Sequence, residues 1–203
     1  MKLTKIAVTG HTAGIGKAIA ERFGEKYQIV GFSRSNGYDI SKQEDLDRIV
    51  AESLDCEVFI NNAYHFDQQT VLAGMWDSAH AGQDHLIINI STLAADPIFE
   101  IEKRMPYILP YAEEKHRLNK KTFEICDNLG GNRKAISVLL GIVDTNFVNP
   151  YGTDVENMLE HYEGFRKAGT LINPSDVAEA IEHVIDLAKK NCFIYSISIL
   201  NRF

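Results

Sequence analysis

Apolar positions along the chain fall into short runs separated by segments of helical spacing. Ile6-Ala7-Val8, Val58-Phe59-Ile60 and Leu86-Ile87-Ile88-Asn89-Ile90 are nearly uninterrupted, as in strands covered on both faces. Residues 28–33 and 135–139 add two further strands, residues 38–40 read as a brief one, and residues 193–199 alternate like an edge or near-edge strand. Between the runs, Ile15, Ala18, Ile19 and Phe23 share a helix face that Gly24 ends. Ser41 and Glu44 read as a capping box for a helix carrying Leu46, Ile49, Val50 and Leu54. A short helix is expected around residues 71–79, and a long one from about Tyr111 to Asn128, stopped by Gly130-Gly131. Asn173-Pro174 supplies an N-cap and first helical residue, after which Val177, Ile181, Val184, Ile185 and Ala188 line one face. Residues 93–110, with prolines at 97, 106 and 110, read as irregular, and residues 141–171 as mostly loop with a short helix. This alternation of strand and helix predicts an α/β fold built on a mainly parallel sheet.

Length and charge narrow the picture. A chain of 203 residues, 45% hydrophobic and 24% charged, suits one domain spanning residues 1–203. The net charge of -7 argues against nucleic acid as a partner. The densest basic cluster, Lys115-His116-Arg117 with Lys120 and Lys121, is interleaved with a helical pattern and reads as a solvated helix face. Cys56, Cys126 and Cys192 have neither disulfide-framework nor zinc spacing, so they read as small hydrophobes, and no metal site is expected. His65, His80 and His85 likewise show no ligand spacing, and Met75 and Trp76 read as helix-packing residues. No apolar run approaches the roughly 18 residues of a membrane span, and the chain enters its first strand without a signal-peptide pattern. A reducing cytoplasmic location is expected.

The most informative stretch is Thr9-Gly10-His11-Thr12-Ala13-Gly14-Ile15-Gly16, between the first strand and the first helix. A glycine-rich turn here brings backbone N–H groups close to an anion at a helix N-terminus, with no Cβ in the way. Other polar residues fall at strand ends as well: Arg34, Asn61 to Ala63, Ser91-Thr92 and Gly141 to Thr145. In an open α/β sheet those ends face the ligand crevice. Tyr111 and Lys115 are four apart and share a helix face. A neighbouring ammonium favours tyrosinate, so Lys115 is expected to lower the Tyr111 pKa and make the phenol a usable acid or base near neutrality.

These motifs, Thr-Gly-x-x-x-Gly-Ile-Gly, Asn-Asn-Ala, Ile-Ser-Thr and Tyr-x-x-x-Lys in that order, resemble the short-chain dehydrogenase/reductase family over nearly the whole chain. Gly141-Ile142-Val143-Asp144-Thr145 is similar to the family's Pro-Gly-x-Val-x-Thr loop, and residues 173–178 to the start of its penultimate helix. The resemblance implies a Rossmann-like doubly wound domain binding a nicotinamide dinucleotide. It implies Tyr111 as the proton-exchanging group, Lys115 as the residue that holds the nicotinamide ribose, and Thr92 as the hydroxyl that binds the substrate oxygen, with Ser91 as the fallback. Gly10, His11, Thr12, Gly14, Ile15 and Gly16 would hold the phosphates, with His11 equally able to face solvent. Asp39, Ile40, Asn62 and Ala63 would line the adenosine side, and Val143 and Thr145 the nicotinamide side. Members of the family pair through the helix that starts at the tyrosine and the one before it; that preceding helix is short here, so a homodimer is expected with a monomer as the alternative.

Cofactor choice follows from chemistry at the second strand. An NAD site wants a carboxylate there for the ribose 2′-OH. Gly31-Phe32-Ser33-Arg34-Ser35 has none. Ser33 and Arg34 suit a 2′-phosphate instead, with Thr12 and Lys17 adding to the phosphate contacts, so NADP(H) is preferred over NAD(H).

Several positions depart from the family pattern. Val71 falls where an asparagine of the proton relay is usual, Thr92 replaces serine, Tyr64 replaces glycine, and the interval from Thr92 to Tyr111 is lengthened. Met158, Leu159, Tyr162 and Phe165 form either a lid over substrate or the core face of a short helix. The expected activity is hydride transfer between nicotinamide and a small carbonyl or alcohol. The alternatives are a dinucleotide-binding sensor or interaction module with little or no turnover and, third, epimerase or dehydratase chemistry on the same fold.

Overall fold

The computed structural model describes residues 4–100, 105, 108–126, 133–145, 155–190, 192 and 194–202. Among these residues the strands are β1 (Lys5–Thr9), β2 (Gln28–Phe32), β3 (Val58–Asn61), β4 (His85–Thr92), β5 (Arg133–Leu140) and β6 (Ser196–Ile199). The helices are α1 (Gly14–Phe23), α2 (Gln43–Glu52), α3 (Gln68–Ala79), α4 (Leu109–Cys126), α5 (Val155–Ala168) and α6 (Pro174–Ala188). The strands form one parallel sheet in the order β2-β1-β3-β4-β5-β6.

The near-continuous apolar runs are explained by burial on both sheet faces. Ile6, Val8, Val58, Ile60, Leu86, Ile88, Ile90, Ile136 and Val138 pack on one side with Ile19 and Phe23 of α1 and Val177, Ile181, Val184 and Ile185 of α6. On the other side Ala7, Phe59, Ile87 and Ala135 pack with Leu46 and Ile49 of α2, Leu72 and Trp76 of α3, and Ile125 of α4. Trp76 stacks on Phe59 at 5.2 Å and donates its indole N–H to Ser53 Oγ at 2.9 Å, so its polar atom is satisfied inside the core. The packing expectation for Trp76 and Met75 therefore holds.

Strand order places the site. From β1 the chain steps outward to β2, then crosses back to β3 on the other side. The crevice of a doubly wound sheet opens at such a switch point, beyond the C-terminal strand ends. Pairing of β4 with β5 runs to Thr92 opposite Leu140, so those two strands finish level with each other.

Some boundaries differ from expectation. Residues 38–40 form no strand. After a short 3-10 turn at Arg34–Asn36, Gly37 at φ +89° turns the chain, and β2 is the sheet edge. The backbone N–H of Asp39 is taken by the Asp45 carboxylate at 2.9 Å. The capping box from Ser41 does not form either: Lys42 is the N-cap and makes no side-chain bond. α2 ends at Glu52, leaving Leu54 exposed, and α3 starts earlier than expected, at Gln68. α4 begins at Leu109, with Pro110 in its first turn, where a missing N–H is tolerated. At α6 the cap is as read, Asn173 Oδ1 accepting from the Ser175 N–H at 3.0 Å ahead of Pro174. The expected stop at Gly130-Gly131, and Asn128, Pro106, Asn149, Pro150 and Phe193, lie outside the described residues.

Candidate functional site

The turn from β1 to α1 collapses onto the end of β3. Gly10 and Gly14 have φ of +70° and +50°, where L side chains are strained. At Gly16 a Cβ would sit 2.2 Å from the Gly10 carbonyl oxygen and 2.7 Å from Asn62 Nδ2, so only hydrogen fits. Thr9 Oγ1 accepts the backbone N–H groups of Asn62 and Ala63, both at 2.9 Å. Asn62 Nδ2 donates back to the Thr9 carbonyl at 2.9 Å. The Asn62 amide thus braces the turn. Ala13 caps α1 without a side-chain bond, and no acidic residue occupies the first helical turn. That leaves the helix N-terminus suited to an anion. The β5 end closes over the same turn, with Thr145 Cγ2 3.2 Å from where a Gly14 Cβ would lie. Val143 bridges to Ile172 and, like Ile15, is half-buried against the core.

At the end of β2, Ser33 Oγ meets Ser35 Oγ at 2.8 Å and donates to Asn36 Oδ1 at 3.0 Å. Ser35 in turn reaches Thr12 Oγ1 at 3.4 Å, linking the two loops. Arg34 is exposed and lines a cleft of about 260 Å³ with Gly37, Tyr38, Asp39, Lys42 and Asp45. Lys42 is a cation there that the sequence reading passed over. Arg48 stacks on Tyr38 at 4.4 Å. The Asp39 carboxyl is held below its usual range, first by the Ser41 hydrogen bonds and then by nearby Arg34, while Ile40 is buried in the core. His11 lies against β2: a Cβ on Gly31 would meet its ring at 2.4 Å. Its Nδ1 is buried without a hydrogen-bond partner among the described residues.

The third cluster joins α3, β4 and α4. Lys115, expected on a solvated face, is 3% exposed. Its Nζ donates to Gln69 Oε1 at 2.5 Å and to the Ile90 carbonyl at 2.8 Å. The ammonium lies over the Tyr64 and Tyr111 rings at 5.1 and 5.6 Å. Tyr64 meets Tyr111 edge-on at 5.0 Å and donates its hydroxyl proton to Glu114 Oε2 at 2.5 Å, which draws it toward α4. Burial brings the Lys115 ammonium down to about 7, with Glu114 opposing the shift. The Tyr111 phenol is pushed up, by burial and then by the Glu114 charge. The expected lowering of the tyrosine by Lys115 is therefore not found. Desolvation outweighs an ammonium that sits over the ring and is already hydrogen-bonded elsewhere.

The two hydroxyls that end β4 have different surroundings. Thr92 Oγ1 accepts from the Ala94 N–H at 3.2 Å and donates to the Leu140 carbonyl at 3.4 Å, capping the turn at Leu93–Ala95. Ser91 Oγ is buried and has no hydrogen-bond partner among the described residues. Sequence reasoning missed Gln69. Its Nε2 donates to the Asn61 carbonyl at 2.5 Å and the Ile90 carbonyl at 3.2 Å, and Asn61 Nδ2 donates to the Gln69 carbonyl and to Asn89 Oδ1, both at 2.8 Å. Val71, aligned by spacing with the usual asparagine, is exposed on the outer face of α3. The one available signal was a pair of asparagines, Asn61 and Asn89, inside otherwise apolar strands, because buried amides need partners. Among the described residues no cluster could hold a metal ion, and no helix is long and apolar enough to cross a membrane.

No protein-family model and no curated protein matches the chain. Solved structures do match. A 3-alpha-hydroxysteroid dehydrogenase from a Pseudomonas species, complexed with NADH, is 20% identical over 97% of this chain and 95% of its own, with a TM-score of 0.71. A short-chain dehydrogenase from Burkholderia cenocepacia in complex with NADP is 16% identical over 98% of this chain and 89% of its own, with a TM-score of 0.73. A 3-ketoacyl-(acyl-carrier-protein) reductase from Brucella melitensis, complexed with NADH, is 18% identical over 97% and 96%, also at 0.73. The chain has the Rossmann-like fold of these short-chain dehydrogenases and reductases along nearly its full length.

Proposed function

We propose that the protein is an NADP(H)-dependent oxidoreductase of the short-chain dehydrogenase/reductase type, acting on a small carbonyl or alcohol substrate. The observation that carries this reading is positional: the glycine turn follows β1, Ser91 and Thr92 end β4, and Lys115 Nζ reaches the Ile90 carbonyl near that same end, all at the C-terminal side of one parallel sheet. What supports a dinucleotide at this turn is the start of α1, which has neither a capping side chain nor an acid in its first turn. A bound nicotinamide would supply or accept the hydride. Gly10 to Gly16 would hold the phosphates and Thr145 the carboxamide end. Arg34, with Ser33, Thr12 and Lys42, would hold a 2′-phosphate. The fold neighbours include NADH and NADP complexes, so the preference for NADP(H) rests on Arg34 and the lack of an acid at the end of β2. Three free cysteines accord with a reducing compartment.

Tyr111 carries the proton chemistry. A phenol held protonated by burial and Glu114 is a donor at neutral pH, which favours reduction, with its proton delivered to the substrate oxygen. Lys115 sets the charge beside it. Ser91 or Thr92 would accept or donate the second hydrogen bond to that oxygen. The test is NADPH oxidation against a panel of aldehydes, ketones and quinones, comparing the unaltered protein with Tyr111→Phe. Turnover lost in the variant supports the reading, and equal turnover removes Tyr111 from it. A second reading, dinucleotide binding without turnover, is favoured by the commitment of the Thr92 hydroxyl to Ala94 and Leu140. It predicts NADPH binding and no oxidation with any panel member.

A further inference from the structure

Lys115 ends in a charged group that is buried, and a long side chain there has many rotamers to lose. Its ammonium has two neutral acceptors, Gln69 Oε1 and the Ile90 carbonyl. Gln69 is itself 1% exposed. Its Nε2 is committed to the carbonyls of Asn61 and Ile90, and its backbone carbonyl to Asn61 Nδ2. The amide therefore cannot flip, since the reverse orientation would set its NH2 against an ammonium and its oxygen against two carbonyls. The other groups facing Lys115 are Tyr111 and Glu114 on its own helix and Tyr64 after β3, with the Arg117–Asp67 ion pair closing the adjoining side of α3 and α4.

We propose that Gln69 is the positioning residue of this site: its side-chain carbonyl, locked by Asn61 and Ile90, holds the Lys115 ammonium in place beside Tyr111. The role belongs to Gln69 and not to Val71, which lies on the exposed face of the same helix. It rests on the reading above, in which Lys115 serves Tyr111. An acceptor facing an ammonium stabilises the charged form, so Gln69 works against the burial that lowers Lys115. Its loss lets the lysine titrate lower still.

The experiment follows Lys115 directly. Protein carrying 13Cε-labelled lysine is titrated by NMR, with Lys115→Met used to assign the resonance. The Lys115 midpoint in the unaltered protein, near 7, is compared with that in Gln69→Met, which keeps the shape and removes the acceptor. A hydrogen bond to a charged group corresponds to about one pKa unit or more, so the midpoint should fall by about that much. The limb of the pH–kcat profile that follows Lys115 should move with it. Gln69→Asn retains an amide that is too short to reach both Lys115 and Asn61, and should shift the midpoint in the same direction should the methionine variant fail to fold. An unchanged midpoint in the folded variants, with only thermal stability reduced, overturns the proposal and makes Gln69 a staple between α3 and the sheet. A shifted midpoint in a protein that turns over no carbonyl supports the positioning role and sinks the proposed activity instead.

Discussion

Replacing Gly16 with alanine probes the cradle at its tightest point. The new methyl would stand 2.2 Å from the Gly10 carbonyl oxygen and 2.7 Å from Asn62 Nδ2. The first of these is backbone in a turn already held by the Gly10 N–H to the Phe32 carbonyl at 2.7 Å, so the strain cannot be relieved by a rotamer change. Overpacking of this kind costs about 1–3 kcal/mol. Displacing Asn62 from the Thr9 carbonyl adds about 1 kcal/mol, and the better helix propensity of alanine returns up to about 1 kcal/mol. The net expectation is a loss of about 1–4 kcal/mol, together with loss of NADPH binding, because the turn must open to admit the methyl. Gly164, inside α5, is the matched control, since a Cβ there would meet nothing within 4 Å. Alanine at that position should stabilise by about 0.5–1 kcal/mol and leave binding alone. Urea unfolding and fluorescence titration with NADPH measure both quantities. An unaltered urea midpoint and unaltered NADPH affinity in Gly16→Ala would refute the close approach of β1, α1 and β3.

Arg34→Ala should weaken NADPH binding about tenfold or more, since a charge-assisted bond to phosphate is lost, and leave NADH binding nearly unchanged. Isothermal titration with both dinucleotides checks this, and a tenfold preference of the unaltered protein for NADH would overturn the assignment. Glu182, buried under α1, accepts from Arg22 at 2.7 Å and Lys26 at 2.5 Å. Its carboxyl is held below the usual range, first by Lys26 and then by Arg22. A depressed carboxylate stabilises the fold above its unfolded pKa and loses that contribution as pH falls through the lower folded value. Glu182→Gln should therefore cost about 1–2 kcal/mol at neutral pH, discounted for the solvent-exposed cations. In urea titrations across pH, the gap to the unaltered protein should close on acidification.

The parts legible in the sequence were those decided locally. The glycine turn, the doubly buried strands, the Asn173-Pro174 cap and the spacing of Tyr111 and Lys115 each follow from a few consecutive residues. The site's supporting contacts do not. Gln69 stands in a polar stretch, Gln68-Gln69-Thr70, and acquires its role only because α3 starts where it meets Asn61 and the Ile90 carbonyl. The pKa of Tyr111 was misread for the same reason. Spacing puts Lys115 on its face, but burial and Glu114 depend on how α4 sits against β4 and Tyr64. Residues 38–40 form no strand although the outer side of β2 is open, because the Gly37 turn and the Asp45 carboxylate on the Asp39 N–H commit their backbone elsewhere, contacts that strand propensity does not register.

Proton delivery from Tyr111 to a substrate oxygen, coupled to transfer from bound NADPH, is tested most directly by isotope transfer. The protein is incubated with NADPH deuterated at the reactive ring carbon and with the carbonyl panel, and the alcohol products are analysed by mass spectrometry, in parallel with Tyr111→Phe. Deuterium on the alcohol carbon, with kcat/KM lowered about a hundredfold or more in the variant, is the predicted result. Bound NADPH that transfers no label to any carbonyl, or equal transfer by both proteins, would contradict it.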